Sequence, residues 1–268
     1  HSRLEAALAG QPEKADAFDI MQTHPRTTER IERALEQAGA TPVADPLVAR
    51  DVYFDKINGM LYGDKPDEGY IRGRTFAHPK LKFAFEVPEG FRLYNQSRSV
   101  IARDSEGKAI IQFDRGPADY SGSMTDYLTR VWGAKVRLSN VEAISINGMP
   151  AATASVSGGG KDYRLVAIRY DARTIYRFIF LSASDRTAAL NVSFREATYS
   201  FRKLSDSEAD ALRPRRLMIY EVAPGDSPAR IAARMPFGQE NLERFLVLNG
   251  LTESATLHPG QRVKIVTE

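Results

Sequence analysis

The spacing of apolar residues divides the chain into a helical beginning and a strand-rich middle. Over residues 2–38 apolar positions recur at helical spacing, as at Leu4, Ala7 and Leu8. A second apolar run over residues 48–61 predicts another short amphipathic helix. The polar, glycine-rich stretch that follows, residues 63–69, is typical of a linker.

From about residue 70 the period of the apolar positions changes to two, which is typical of half-buried strands. The predicted strands are residues 82–87, 98–103, 109–113, 142–146, 151–156, 163–170 and 174–181. Asn147-Gly148 and the glycines at 158–160 lie between strands and predict hairpin turns. A phosphate-binding loop at Gly158 to Lys161 is disfavoured, because the GxxxxGK spacing and a following helix are both missing.

Two helices are predicted to interrupt these strands, at residues 123–132 and 186–200. The second places Leu190, Phe194 and Ala197 on one face, which would cover a sheet. In the first, Tyr127 and Trp132 favour core packing with Tyr120 over the lining of a pocket. The predicted fold class is α+β, with an antiparallel-sheet sandwich and covering helices. This element order resembles the PsbP/Mog1-like sandwich.

Composition excludes several classes of function. The 268 residues are enough for two domains, and the net charge of +3 gives no basic face suited to nucleic acid. The chain has no cysteine, so it has no disulfide and no thiolate metal ligand or nucleophile. No apolar run approaches the roughly twenty residues of a membrane-spanning helix. The chain begins at His1, so we expect a processed form or part of a longer protein.

The clearest pattern covers residues 220–266. A strand is followed by a turn at Pro224-Gly225-Asp226, a helix entered through Ser227, a second helix ending at Asn249-Gly250, and a last strand. This order resembles the LysM domain, a small βααβ module that binds N-acetylglucosamine polymers such as peptidoglycan. Serine and proline replace the family's usual Thr-Leu after Gly-Asp, and Met235 to Gly238 resembles an insertion between the helices.

The resemblance implies sugar contacts from the loop after the first strand and from the loop before the last one. The implied glycan-binding residues are Gly225, Asp226, Ser227, Pro228, Asn249, Gly250 and Leu251. The residues alone also support a plain structural interpretation, in which Asp226 or Ser227 accepts backbone hydrogen bonds as a turn and helix cap. Both interpretations can hold together.

A second resemblance lies near the other end. The segment Thr23-His24-Pro25, followed by a polar stretch and Arg30-Ile31, resembles the closing motif of M48-family zinc metallopeptidases. It implies a parent zinc endopeptidase of the bacterial envelope, periplasmic or outer-membrane-associated, with envelope proteins as substrates. His24 would then be an accessory metal ligand or gate. The residues alone indicate a turn before a helix.

This chain departs from that family because it has no His-Glu-x-x-His motif, which zinc catalysis of this kind needs. We therefore expect no catalytic residue and no bound cofactor in it. The expected divisions are residues 1–45 (helical tail of a metallopeptidase-like domain), 46–69 (helix and linker), 70–204 (central sandwich), 205–216 (linker) and 217–268 (LysM-like domain). Three hypotheses stay open: an enzyme's accessory part, a stand-alone peptidoglycan- or protein-binding module, and a docking platform.

Overall fold

The computed structural model describes residue 36, residues 49–117 and residues 120–268. The helices, in chain order, are α1 (Arg50–Ile57), α2 (Met124–Asp126), α3 (Thr187–Ser200), α4 (Asp206–Ala211), α5 (Pro228–Ala232) and α6 (Asn241–Asn249). The strands are β1 (Tyr70–Arg72), β2 (Thr75–His78), β3 (Phe83–Glu86), β4 (Phe91–Asn95), β5 (Ser99–Asp104), β6 (Ala109–Arg115), β7 (Ser139–Ile146), β8 (Met149–Gly158), β9 (Lys161–Asp171), β10 (Thr174–Ala183), β11 (Arg202–Lys203), β12 (Arg216–Glu221) and β13 (Arg262–Thr267). Except for Glu36, the helical pattern of residues 2–38 lies outside the described part, and so does His24 with its motif.

The chain forms two compact units. The second unit comprises Asp64–Pro214. The described part of the first unit comprises residue 36, residues 49–63 and residues 215–268, so two distant stretches of sequence fold together there. The five divisions expected from the sequence stay a prediction.

The second unit contains two antiparallel sheets. One has the strand order β4-β5-β6-β10-β9-β8-β7, and the smaller one has the order β1-β2-β3-β11. Asn147 and Gly148 have φ values of 48° and 79° and join β7 to β8, and Gly159 and Gly160, also at positive φ, join β8 to β9. Both predicted hairpin turns are therefore confirmed, and so is the α+β fold class.

Aromatic side chains fill the core of the second unit. Phe83 and Phe85 of the smaller sheet pack against Phe113 and Phe178 of the larger one. Helix α3 packs against β3 and β10 and buries Phe194 and neighbouring apolar residues, as its predicted face requires. The predicted core packing of Tyr127, Tyr120 and Trp132 is also confirmed, since they belong to one buried cluster.

Three features of this unit differ from the sequence prediction. The sandwich consists of two sheets that include β1, β2, β4 and β11, four short strands absent from the predicted set. The helix predicted over residues 123–132 becomes a π-helix from Tyr127 to Trp132. Helix α4 lies in the segment expected to be a linker, and Ser205 and Glu208 form a capping box at its start.

The first unit is built on the antiparallel pair β12–β13. Leu217 and Arg262 lie on one face of this pair, because side chains alternate and paired residues share a face. The Arg262 guanidinium bonds to Asp51, at 3.2 Å, and to Asp55, both in α1. Helix α1 therefore covers this face, with Phe54 buried in the same core cluster as Leu217.

The residues after α1 cover the free edge of β12. The Gly59 amide donates to the Leu217 carbonyl (2.7 Å), and the Leu217 amide donates to the Met60 carbonyl (2.8 Å). Two residues on, the Ile219 amide donates to Oδ1 of Asn58 (3.0 Å). Because this segment is held by the sheet, the helix predicted over residues 48–61 ends at Ile57, and Met60 is exposed.

Candidate functional site

The loop after β12 is closed by the carboxylate of Asp226. Its Oδ2 accepts hydrogen bonds from the Tyr220 hydroxyl (2.7 Å) and the Ala223 amide (2.9 Å), and Arg234 lies 3.6 Å from Oδ1. These donors, the Tyr220 hydroxyl first, hold the pKa of Asp226 below its usual value. Only 6% of the side chain is exposed, so the carboxylate stabilises the loop and offers little to a ligand.

The next residues set the path of the backbone into α5. Gly225 has φ +81°, and its carbonyl accepts a hydrogen bond from Nη1 of Arg230 (3.0 Å). Ser227 is the N-cap, and its Oγ accepts the Arg230 amide at 3.3 Å. Pro228 occupies the first helical position, where a missing N–H costs nothing. The predicted turn and helix cap are therefore confirmed.

The second loop is held by the side chain of Asn249. Its Nδ2 donates to the carbonyls of Phe245 (2.9 Å) and Lys264 (2.8 Å), and its Oδ1 accepts the Lys264 amide (2.7 Å). Gly250 ends α6 in the left-handed conformation, and half-buried Leu251 packs on the core. Asn249 thus ties the end of α6 to the free edge of β13.

A cavity of about 500 Å³ brings Asn249 together with residues that the sequence pattern did not single out. Its other lining residues are Ala49, Arg50, Tyr53, Phe54 and Lys264. The remaining six residues of the implied glycan site do not line it. Phe54 is buried, whereas Tyr53 is 55% exposed.

Lys264 and Arg50 make this cavity electropositive. Burial lowers the pKa of Lys264, and the neighbouring Arg50 guanidinium lowers that pKa further. Within the described residues, the Lys264 ammonium has neither an ion-pair partner nor a hydrogen-bond acceptor. The nearby carboxylates of Asp51 and Asp55 are both bound to Arg262. The sequence gives no signal for this arrangement, because its residues are about 210 positions apart in the chain.

The second unit has a separate cavity of about 400 Å³. Phe76, Phe113 and Tyr176 provide its apolar wall, and His78 and Arg115 are among its polar residues. Nδ1 of His78 accepts the Leu81 amide (3.2 Å). The neutral ring therefore carries its proton on Nε2. Burial is the main reason that the pKa of His78 is lowered.

The described residues do not fit a zinc site. Among them no three His, Cys, Asp or Glu side chains are grouped so that they could hold a metal ion. His78 uses Nδ1 for a backbone hydrogen bond, and His258 belongs to the other unit. The proposed role of His24 falls outside the described residues. None of the described helices is both long and apolar enough to cross a membrane.

Comparison with known families gives one match, to the LysM domain, over residues 220–266. Residues 220–266 form a LysM domain. The matched segment runs from within β12 to within β13 and includes both loops of the implied glycan site. Helix α1 and residues 58–60 lie outside the matched segment although they pack on it. Curated protein sequences give no match.

Solved structures similar to the chain include cyanobacterial PsbP (CyanoP) from Synechocystis sp. PCC 6803, with 17% identity and a TM-score of 0.41 over 53% of this chain and 98% of that one. A protein from Bacteroides thetaiotaomicron VPI-5482 has 13% identity and a TM-score of 0.37, over 55% of this chain and 53% of that one. LpqN, involved in cell envelope biogenesis of Mycobacterium tuberculosis, has 12% identity and a TM-score of 0.31, over 60% of this chain and 100% of that one. These similarities concern the fold and not the function.

Proposed function

We propose that this chain belongs to an exported protein of the bacterial cell envelope and binds peptidoglycan through its LysM domain. The match of residues 220–266 to that domain carries the proposal. The βααβ order, the capped start of α5 and the left-handed end of α6 support it, since they form the two loops from which the family contacts sugar.

Binding at these loops would depend on the backbone more than on side chains. Asp226, Ser227 and Asn249 already use their side-chain oxygens within the domain. The Gly225 amide, by contrast, donates to no described residue, and both Gly225 and Gly250 are exposed. Backbone N–H and C=O groups suit N-acetyl sugars, which are neutral and carry both donors and acceptors.

The experiment is retention of the full chain on insoluble peptidoglycan, in competition with soluble N-acetylglucosamine oligomers. The informative variant replaces Gly225 and Gly250 together by asparagine, which tolerates positive φ and adds a side chain at each loop. Open space at Gly250, and a nearest contact of 3.9 Å at Gly225, accommodate the new Cβ atoms. Gly238→Asn is the matched control, because Gly238 also has positive φ and open space around it but lies between α5 and α6, outside both loops.

The wild-type chain and Gly238→Asn should be retained and released by the oligomers, and the double variant should be retained severalfold less. If the wild-type chain is not retained, the domain acts as a docking platform without sugar binding. If the double variant is retained as well as the wild type, the loops do not form the site. Point variants are preferable to removal of residues 217–268, which would expose Phe54 and Ile57.

A second candidate is the accessory part of an M48-type zinc endopeptidase acting on envelope proteins. The resemblance of Thr23 to Ile31 to the closing motif of that family favours it. Zinc would then be held by histidines outside this chain, and His24 would lie near the metal. The coding sequence that precedes His1 tests this candidate: a His-Glu-x-x-His motif supports it, and a preceding sequence without one rejects it. The zinc content of a His24→Ala variant of the longer protein would test the role of His24.

A further inference from the structure

We propose that the cavity between α1 and β13 binds a carboxylate group of the peptidoglycan, separately from the two loops. This inference rests on the proposed function, and it names a second, anionic part of the same ligand. Residues outside the LysM match, Arg50 and Tyr53, form the site together with Lys264.

The first reason is the charge of Lys264. A half-buried ammonium usually has a carboxylate close by, since desolvation of an unpaired charge is unfavourable. No described residue supplies one here, and the charged side chain that lowers the pKa of Lys264 is another cation, Arg50. A carboxylate bound in the cavity would be the missing partner of Lys264.

The second reason is that both neighbouring carboxylates already have a partner. Asp51 and Asp55 of α1 both bind Arg262. Arg50 is held over the Phe54 ring, at 4.9 Å from its centroid, and donates to the Arg262 carbonyl at 3.2 Å. Three cations, Arg50, Lys264 and Arg262, stand against two carboxylates, so the side chains in and beside the cavity keep one net positive charge.

The third reason is the chemistry of the lining. The exposed Tyr53 ring offers an apolar surface with a polar end, against which a sugar ring or a peptide can pack. A few polar groups on a partly apolar wall are typical of small-ligand sites. Peptidoglycan carries two kinds of carboxylate that fit, on the lactyl group of N-acetylmuramic acid and on its attached peptide.

The experiment measures affinities of the full chain by calorimetry for three ligands of equal glycan length. The first is a neutral N-acetylglucosamine oligomer. The second is an oligomer in which N-acetylglucosamine alternates with N-acetylmuramic acid bearing free lactyl carboxylates. The third is the same alternating oligomer with peptides amide-linked to its lactyl groups. We expect the wild type to bind at least one anionic ligand about tenfold more tightly than the neutral one. The preferred anionic ligand identifies the source of the carboxylate.

Lys264→Gln should bring that ratio close to one, and Lys264→Arg should keep it, because arginine retains the positive charge. Lys56→Gln is the matched control, since Lys56 is an exposed lysine of α1 that does not line the cavity. The preference should also weaken as salt is raised. A wild-type ratio near one, or a ratio that Lys264→Gln leaves intact, would overturn the inference. In that case neutral-oligomer binding that is sensitive to the Gly225 and Gly250 substitutions would leave the proposed function standing.

Discussion

Replacement of Phe54 by alanine should destabilise the first unit, although Phe54 lies outside the LysM match. Phe54 is 4% exposed and belongs to the same buried cluster as Leu217, Phe245 and Val266. Truncation of a buried phenylalanine to alanine costs about 3–5 kcal/mol. A unit of this size has a free energy of unfolding of roughly 3–10 kcal/mol. The substitution should therefore remove a large part of its stability.

Native-state hydrogen exchange measures this effect on each unit separately. Amides of β12 and β13 should exchange at least about a hundredfold faster in Phe54→Ala, since roughly 1.4 kcal/mol corresponds to a factor of ten. Tyr53→Ala is the matched control, because Tyr53 is the neighbouring aromatic residue and is 55% exposed. This substitution should change the free energy of unfolding by less than about 0.5 kcal/mol. Amides of β10, in the second unit, report whether the effect stays within one unit.

Equal exchange rates in the Phe54 and Tyr53 variants would refute this reasoning. That result would mean that α1 is not an integral part of the LysM unit and that its contacts with β12 and β13 contribute little. Faster exchange throughout both units would mean instead that the two units unfold together.

Two further predictions concern single side chains. Asn249→Ala should lower the free energy of unfolding of the first unit by about 1–3 kcal/mol, because both edge hydrogen bonds to Lys264 are lost. Chemical denaturation measures this change. Weaker glycan binding at unchanged stability would instead assign Asn249 to ligand contact. Burial lowers the pKa of His78 in the folded state, so the unfolded chain takes up the proton first. The second unit should be fully stable above about pH 6.5 and lose stability as pH falls below it, by at most about 1.4 kcal/mol per pH unit for one proton. His78→Gln should flatten this slope and His258→Gln should retain it; a slope that persists without His78 would contradict the assignment.

The sequence predicts the second unit well where a strand has one face towards the core. In β10 most positions are apolar, so the sequence does not show an alternation between two faces. The length of the segment and its β-branched and aromatic residues still indicate a strand. The helix face of Phe194 and Ala197 is equally clear, because spacing alone places both residues on the sheet. The short strands β1 and β11 escape prediction because two or three residues show no period.

Helix α1 shows why tertiary contacts cannot be predicted from spacing alone. The apolar run over residues 48–61 indicates a helix, but Val52 and Met60 are exposed while Phe54 and Ile57 are buried. The helix stops at Ile57 because the next residues bond to the edge of β12, about 160 positions further along the chain. No local pattern contains that partner.

The candidate site shows the same division between local and distant information. Asp226, Ser227 and Asn249 lie within the LysM match, where they close its loops, cap its helix and tie its last strand. These are the requirements of the fold, so a match to the pattern predicts the fold more strongly than it predicts the ligand. Lys264 and Tyr53 contribute to no turn or cap, and their side chains are available to a ligand. Differences in ligand choice among proteins with this fold should therefore arise from such positions, outside the pattern, and the ratio of anionic to neutral glycan binding in Lys264 variants measures that contribution directly.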